Sequence, residues 1–440
     1  MEKIQMSNGS NRLTADDRVL RTMEGQALEK TLKRHSRNKQ LFILLAFFAL
    51  SLNLRAPITS LPPIIQDLTA IFHISGGFAG FLTSIPVLCF GLLTPLIGFL
   101  MKNIRLETTI FLTLAGIALG TFVRSAGGIN AIVAGTAIIG VALTAGNIAG
   151  LLVIGREFPH RINAMTGLYV FGMSWGAMGT MALTAPLSLA IGWRPALALP
   201  ALLALVAIAL WLAVGFHEYK ENRILMQLQN HPEEPAATSS QTEAATASSA
   251  SSVMKLPLVW VLSAAFAAHT FLFYGITAWL PVYLTQSIQM SDATAGVAAS
   301  LFQFMGLLGC FGLPLLAGTQ RFSTRILFLI VTLSWAATAV GLWTAPRLWG
   351  VWVAFGGIGG GGGFTVIFSM IMRYAKDLNE NRSISTVVQT MGYIIAAISP
   401  FAIGHLHDAS GNWQGSMALL SGAALLMILC GLIAPKYAKQ

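Results

Sequence analysis

The sequence predicts an all-α membrane protein with twelve transmembrane helices in two six-helix bundles and both termini in the cytoplasm. Composition supports this first, because 55% of the 440 residues are hydrophobic and only 10% are charged, against about 25% charged residues in soluble proteins. The second observation is a set of long apolar runs, and the third is a strong asymmetry in where Lys and Arg fall.

The apolar runs are long enough to be membrane-spanning helices, which need about 17–25 residues. A backbone in lipid must satisfy its own hydrogen bonds, so spans are helices or closed barrels. Strand-like alternation is absent, and helices are therefore expected. The twelve predicted helices cover residues 41–61, 77–101, 107–123, 129–154, 163–190, 195–216, 257–284, 293–317, 325–345, 349–372, 384–404 and 413–434.

A polar stretch divides the apolar chain into two parts of similar length. Residues 231–252 are mostly Ala, Ser, Thr, Glu and Pro, a composition that is too polar to build a core. We therefore interpret this stretch as a flexible cytoplasmic linker. The predicted organisation is an N-terminal cytoplasmic tail (1–40), a six-helix bundle (41–216), the linker (217–256), a second six-helix bundle (257–434) and a C-terminal cytoplasmic tail (435–440).

The basic residues predict the orientation. With the N-terminus inside, the first tail holds nine Lys and Arg, the inner loops hold twelve and the last tail holds two, out of 27 in the chain. Three remain for the outer loops, Arg124, Arg194 and Arg347, and Arg55 lies within the first helix. This asymmetry is what the positive-inside rule predicts, and it explains the net charge of +10 without a nucleic acid partner.

Motifs of enzymes and nucleotide-driven pumps are absent. The glycines between 356 and 363 formally contain G-x-G-x-x-G, but a dinucleotide site also needs a preceding strand and a βαβ unit. This run lies within the tenth predicted helix, where a hinge or a close helix contact is favoured. H-E-x-x-H and a P-loop do not occur. G-x-S-x-G occurs once, as GMSWG at residues 172–176, but within the fifth predicted helix and not at the strand-to-helix turn that a nucleophilic Ser needs. We predict neither an enzyme nor an ATP-driven pump, and no cofactor.

Two ionisable residues fall deep in predicted spans, whereas all 17 Asp and Glu fall in tails, loops or helix ends. Arg55 is 14 residues past Leu41, about 21 Å along its helix. His269 is 12 residues past Pro257, about 18 Å along the first helix of the second bundle. A charged Arg at such a depth persists where it faces a cavity or a partner, and an anionic substrate is one partner. The alternatives are that Arg55 snorkels to the interface and that His269 is a structural residue.

Other polar and aromatic residues in the spans extend the candidate site. Asn53 and Thr59 lie beside Arg55, where Pro57, Pro62 and Pro63 interrupt the helix, and a broken helix is tolerated where it lines a cavity. Buried amides more often bridge helices than contact substrate. The predicted substrate-binding residues are Arg55, Asn53, Thr59, Asn147, Trp175, His269, Tyr274, Gln303, Gln389 and Tyr393. His269 is also the coupling candidate, because the unperturbed pKa of histidine lies near neutral pH.

A metal site is not predicted. His405, His407 and Asp408 lie close together in a predicted outer loop, but two histidines at i, i+2 beside one Asp are a weak pattern for metal binding.

Several segments of the sequence resemble the cyanate and 2-nitroimidazole transporter family of the major facilitator superfamily. Residues 52–60 (LNLRAPITS) are similar to the first-helix signature of that family, Trp279-Leu280-Pro281 to its W-L-P, and residues 389–393 with 407–413 to its Q-x-x-G-Y and H-D-x-x-G-N-W segments. The superfamily motif G-x-x-x-D-R-x-G-R between helices two and three is incomplete, since Gly98 is followed by Lys102, Asn103 and Arg105 without the Asp. The resemblance implies the major facilitator fold and small, compact, weakly acidic or polar solutes.

The predicted function is therefore secondary active transport of a small anion or polar organic solute, cyanate- or nitroimidazole-like, across the inner membrane by alternating access. The predicted partners are that solute, the lipid bilayer and a coupled proton, with no nucleic acid. One alternative is a polyspecific exporter of lipophilic drugs from the same superfamily. A second is a sensor that binds a solute without moving it, although the linker is short and polar for an output domain.

Overall fold

The computed structural model describes residues 40–228, 253–319 and 321–437. Every regular element in these residues is a helix. Eleven helical segments of the described chain are long and apolar enough to cross a membrane. Ile162–Ile191, with 30 residues, is a further long helix in which Gly, Ser and Thr interrupt the apolar residues.

The helices follow the predicted order along the chain. They are α1 (40–53), α2 (Ala56–Thr59), α3 (Ile65–Phe72), α4 (Gly76–Leu100), α5 (Leu106–Ala126), α6 (Ile129–Glu157), α7 (Ile162–Ile191), α8 (Trp193–Leu228), α9 (Pro257–Ile288), α10 (Asp292–Gly318), α11 (Thr324–Thr344), α12 (Trp349–Tyr374), α13 (Leu378–Ala396), α14 (Ile398–Ser410) and α15 (Gln414–Tyr437). Short 3₁₀ turns cover Pro62–Ile64, Met101–Asn103 and Pro346–Leu348.

Most of the described chain belongs to one compact unit, residues 47–208 together with residues 253–437. The start of α1 and the end of α8, residues 40–46 and 209–228, belong to a second, smaller unit. The candidate site lies within the larger unit.

The first span is broken where the prolines predicted an interruption. α1 stops at residue 53, a turn covers Leu54 and Arg55, and α2 then lasts four residues. Arg55 is non-helical, with φ −125° and ψ −29°, and Pro57 has no N–H to continue the helical hydrogen bonds. The span continues through a 3₁₀ turn and α3 to Phe72, so the predicted end at residue 61 was too early.

The glycine-rich segment of α12 is helical and forms a close contact with α10. A Cβ atom at Gly361 would overlap the backbone carbonyl oxygen of Gly306, so the two helix backbones approach more closely than a larger residue would allow. Of the two interpretations of this run, the close helix contact is confirmed.

Three other local predictions were wrong. α8 continues to Leu228, twelve residues beyond the predicted end at 216, because residues 217–228 contain Glu, Lys, Arg, Leu and Met and neither Pro nor Gly. The part of the predicted linker from 229 to 252 lies outside the described residues. His405, His407 and Asp408 belong to α14 and not to a loop. Arg124 lies within α5 and is 1% exposed, so it is a buried residue and not part of an outer loop.

Candidate functional site

Arg55 lies at the break in the first span and contacts α9 from the second half of the chain. Its Nη1 donates a hydrogen bond to Tyr274 Oη over 2.8 Å. Arg55 is half-buried, whereas Tyr274 is 4% exposed. The sequence analysis proposed both residues separately, and the structure places them in direct contact although 219 positions separate them.

Aromatic rings surround the guanidinium. Its central carbon lies 5.9 Å from the ring centroid of Phe273 and 5.8 Å from that of Tyr274, within the range of cation–π attraction. The Tyr393 ring lies 6.4 Å from the Tyr274 ring. We call Arg55, Phe273, Tyr274 and Tyr393 the Arg55 cluster. Phe273 was not among the predicted site residues.

The positive charge of Arg55 has no acidic partner in the described chain. The ion pairs recorded there include those of Arg156 with Glu107 at 2.6 Å and with Glu157 at 2.7 Å, but no carboxylate of residues 40–228, 253–319 and 321–437 lies within ion-pair distance of Arg55. The hydrogen-bond partner of its guanidinium is a neutral phenol. A half-buried cation that lacks a carboxylate partner is electrostatically suited to an anion brought in by a ligand.

Tyr169 on α7 contacts the predicted site residue Asn147. Its hydroxyl donates to Asn147 Oδ1 over 3.4 Å, and its ring lies 5.9 Å from the Phe47 ring on α1. Asn147 was predicted, whereas Tyr169 was missed. A phenol within an apolar span, one of only seven tyrosines in the chain, was a signal that could have identified it.

Thr59 and Asn53 have polar atoms that bond to neighbouring protein groups. Thr59 Oγ1 lies 3.1 Å from the Arg55 carbonyl oxygen and 2.8 Å from Thr180 Oγ1. Thr180 Oγ1 in turn donates to the Ala56 carbonyl over 3.0 Å. Asn53 Nδ2 donates to the Ala49 and Leu203 carbonyls at 2.8 and 3.1 Å. Both predicted residues therefore support the backbone on either side of Arg55.

The remaining predicted polar residues are spread over the second half and α7. Gln389 is half-buried one helical turn from Tyr393 on α13, at i, i+4 spacing and so on the same helix face. Gln303 Nε2 lies 3.4 Å from Thr277 Oγ1 and bridges α10 to α9. Trp175 is 45% exposed, and its ring lies 5.8 Å from the Phe171 ring. These three residues have no recorded contact with the Arg55 guanidinium.

His269, on α9, lies against α11 and α12. It is 3% exposed, and its Nδ1 accepts a hydrogen bond from Trp335 Nε1 over 3.1 Å. A ring nitrogen that accepts carries no proton, so the ring is neutral with the proton on Nε2. Five residues separate His269 from Tyr274, which places the two side chains about 140° apart around α9. His269 therefore faces its own helix bundle and not the Arg55 cluster.

His405, His407 and Asp408 have structural contacts on α14. Asp408 Oδ2 accepts from the backbone N–H of Gly77 over 3.1 Å, at the start of α4. The His407 ring lies 4.4 Å from the Trp413 ring, and the His405 ring lies 5.9 Å from the Phe401 ring.

Comparison with known proteins identifies the family. The family model of the Major Facilitator Superfamily matches residues 41–319, more than half of the chain, and the chain belongs to this superfamily. The resemblance predicted from the sequence is thereby confirmed. Its fold is shared with a bacterial homologue of the human lysosomal transporter Spinster, whose crystal structure gives a TM-score of 0.69 at 14% identity, over 91% of this chain and 98% of that one.

Similar proteins of full length are also transporters. An uncharacterised transporter of Bacillus subtilis, YycB, is 29% identical over 90% of this chain and 95% of its own length. The 2-nitroimidazole transporter of Escherichia coli is 27% identical, over 91% and 96%. The cyanate transport protein CynX of Escherichia coli is 24% identical, over 84% and 91%. Fold and family together define a multi-pass transporter of the inner membrane that moves small solutes.

Proposed function

We propose that this protein is a secondary active transporter of a small anion or small polar organic solute, which binds at the Arg55 cluster. The observation that supports this most directly is the half-buried guanidinium of Arg55, which donates to a neutral tyrosine and has no carboxylate partner in the described chain. An anionic or electron-rich group of the solute would complete its hydrogen bonding.

The shape of the Arg55 cluster favours a flat solute. The rings of Phe273 and Tyr274 lie within 6 Å of one planar cation, and the Tyr393 ring packs against Tyr274. An aromatic or linear π-bonded molecule packs against such rings with little loss of contact. Two of the similar proteins transport 2-nitroimidazole and cyanate. We therefore propose a cyanate- or nitroimidazole-like solute, and we include Asn147 and Gln389 in its site as hydrogen-bonding groups. Gln303 and Trp175 are proposed to line its path.

Transport by alternating access is proposed from the membership of the superfamily. In this fold two six-helix bundles rock around a site near the membrane midplane, and the proposed bundles are residues 41–216 and 257–434. The distribution of Lys and Arg favours both termini in the cytoplasm. A C-terminal alkaline phosphatase fusion should therefore be inactive and a C-terminal green fluorescent protein fusion fluorescent; the opposite pair of results would reverse the topology.

The energy source is proposed to be a proton gradient, with His269 as the coupling residue. Nδ1 of His269 accepts a hydrogen bond from Trp335, and this bond must break when Nδ1 takes up a proton. Protonation of His269 would therefore loosen α9 from α11. A competing hypothesis is that a weakly acidic solute carries the proton itself, which leaves His269 with a structural role.

The aromatic rings around Arg55 also favour a second candidate, an exporter of lipophilic drugs. The two functions differ in their need for the charge of Arg55, which only the anion or polar-solute function requires.

Purified protein in proteoliposomes provides the test. Uptake and efflux of labelled cyanate and 2-nitroimidazole would be measured with and without a pH gradient, beside a neutral lipophilic dye of similar size. Saturable, gradient-dependent movement of either small solute, with no movement of the dye, is the expected result. Movement of the dye alone would contradict the proposed function and favour an exporter of lipophilic drugs.

A further inference from the structure

A second arginine, Arg124, binds the broken segment of the first span. It lies near the end of α5 and is 1% exposed. Its Nη1 donates to the Pro57 carbonyl oxygen over 2.8 Å, and its Nη2 donates to Ser60 Oγ over 2.9 Å. Ser60 Oγ itself donates to the same Pro57 carbonyl over 3.0 Å. Arg124 thus binds the Pro57 carbonyl directly, and it binds the same carbonyl a second time through the Ser60 hydroxyl group.

The charge of Arg124 is satisfied by backbone rather than by an acid. No carboxylate among the described residues lies within ion-pair distance of it, and its Nε is buried without a hydrogen-bond partner there. In a regular helix the Pro57 carbonyl would accept from the backbone N–H of Leu61, four residues on. Here its donors are Arg124 Nη1 and Ser60 Oγ, and the helical hydrogen bonds are interrupted further at Pro62 and Pro63, which have no N–H. Arg124 therefore binds the first span where its backbone hydrogen bonds are interrupted.

We infer that Arg124 is a positioning residue, which fixes the break in the first span and thereby sets where Arg55 presents its guanidinium. α2 starts directly after Arg55, and the Arg55 carbonyl accepts from the N–H groups of Ile58 and Thr59 at 3.1 and 3.2 Å. A displaced Pro57 carries Arg55 with it through this short turn. The effect on solute binding rests on the proposed function, whereas the effect on the backbone does not.

Hydrogen–deuterium exchange of the detergent-solubilised protein tests the backbone effect without any solute. Arg124→Gln removes the guanidinium, and we expect the amides of residues 54–65 to exchange at least about tenfold faster, as in a local opening. Arg124→Lys keeps a charge and one donor and should restore part of the protection. Arg194→Gln, which changes an exposed arginine at the start of α8, is the matched control and should exchange like the wild type.

Transport kinetics test the effect on Arg55. In proteoliposomes with equal amounts of folded protein, Arg124→Gln should raise KM for the anionic solute about tenfold, because a small misplacement of a binding group weakens its contacts strongly. A merely structural role would lower the amount of folded protein and leave KM unchanged. Arg124→Lys should give an intermediate KM.

The outcomes separate this inference from the proposed function. If the wild type moves no anion, the proposed function fails while the exchange result still decides the role of Arg124. If Arg124→Gln changes neither exchange nor KM, the inference is overturned. Should that variant not fold, Ser60→Ala, which keeps the charge, takes its place: faster exchange at residues 54–65 supports the inference, and unchanged exchange overturns it.

Discussion

Arg55 is the residue on which the proposed solute site depends. Arg55→Ala should lower the rate of anion transport about ten- to a hundredfold, because a hydrogen bond to a charged group contributes about 1.5–3 kcal/mol. Arg55→Lys should retain part of the activity, since Lys keeps the charge but lacks the planar fork that matches a flat anion. Initial uptake rates in proteoliposomes, normalised to folded protein, give the measurement.

Tyr274→Phe is the matched control for Arg55. It removes only the hydroxyl group that accepts from Nη1 over 2.8 Å and leaves the guanidinium and the ring face in place. We expect a small change in transport compared with Arg55→Ala. Wild-type rates in the Arg55→Ala protein would show that the guanidinium does not bind solute and would favour an arginine that snorkels to the interface.

His269 provides the residue-scale test of proton coupling. His269→Gln should keep solute binding but lose accumulation driven by a pH gradient, because the amide does not take up a proton. His269→Asn distinguishes a structural role of His269 from a role in proton uptake. The amide oxygen of Asn is better placed than that of Gln to accept the hydrogen bond from Trp335 Nε1. Proton-driven accumulation that persists in both folded variants would assign the proton to the solute and leave His269 structural.

At the scale of single residues, the sequence predicted which residues belong to the site better than it predicted which side chains contact each other. Arg55 stood out as a charge in an apolar run, and Tyr274 as an aromatic residue within a predicted span. Their contact depends on the packing of α9 against the break in the first span, which hydropathy does not encode. Arg124 was assigned to a loop because it follows an apolar run, and only its bonds to Pro57 and Ser60 show why it is buried.

Among the helices, the close packing of α12 on α10 makes a specific prediction about stability. Gly361→Ala should lower the free energy of unfolding by about 1–3 kcal/mol, the usual penalty of overpacking, because the new Cβ atom would overlap the Gly306 carbonyl oxygen. Gly312→Ala on α10 is the control, since no atom lies within 4 Å of its added Cβ; it should be neutral or gain about 0.5–1 kcal/mol.

Thermal unfolding in detergent compares these two glycine variants. A lower melting temperature for Gly361→Ala, with Gly312→Ala at or above the wild type, is the expected pair of results. Equal melting temperatures would mean that α12 and α10 separate enough to admit a methyl group, and the glycine run would then act as a hinge instead of a fixed contact.

The helices themselves were largely predictable because lipid imposes length and hydrophobicity on every span. Where the prediction failed, local polar sequence decided the outcome. Residues 217–228 continue α8 although they are polar, since helix propensity does not require apolar residues. Asp408 lies in α14, and its carboxylate accepts a hydrogen bond from the Gly77 N–H of another helix. This pairing spans 331 positions, and no local pattern shows it.

For the whole molecule, the contacts between the two halves determine whether alternating access can occur. The start of α4 packs on α14, where the Gly77 N–H donates to Asp408 Oδ2 over 3.1 Å and a Cβ atom at Gly80 would overlap the Pro400 carbonyl oxygen. The first span reaches α9 through Gln66 Nε2, which donates to Thr285 Oγ1 over 2.8 Å. The positive-inside rule predicts that this end of the helices faces outward, so these contacts are expected to close the outer side.

Gly80→Val should therefore prevent closure of the outer side. We expect this variant to bind solute but to lose transport, because one state of the cycle becomes inaccessible. Gly98→Val is the control on the same helix, because the nearest atom to an added Cβ there is 4.0 Å away; this variant should transport normally.

A cysteine introduced at Gln66, with Cys89, Cys310 and Cys430 replaced by Ser, reports whether the outer side is open. It should react faster with an impermeant thiol reagent added from outside in Gly80→Val than in Gly98→Val. Equal reaction rates together with intact transport would show that the contact between α4 and α14 is not required to close the outer side, and the closing contact would then have to be sought elsewhere, starting with α7 and α10.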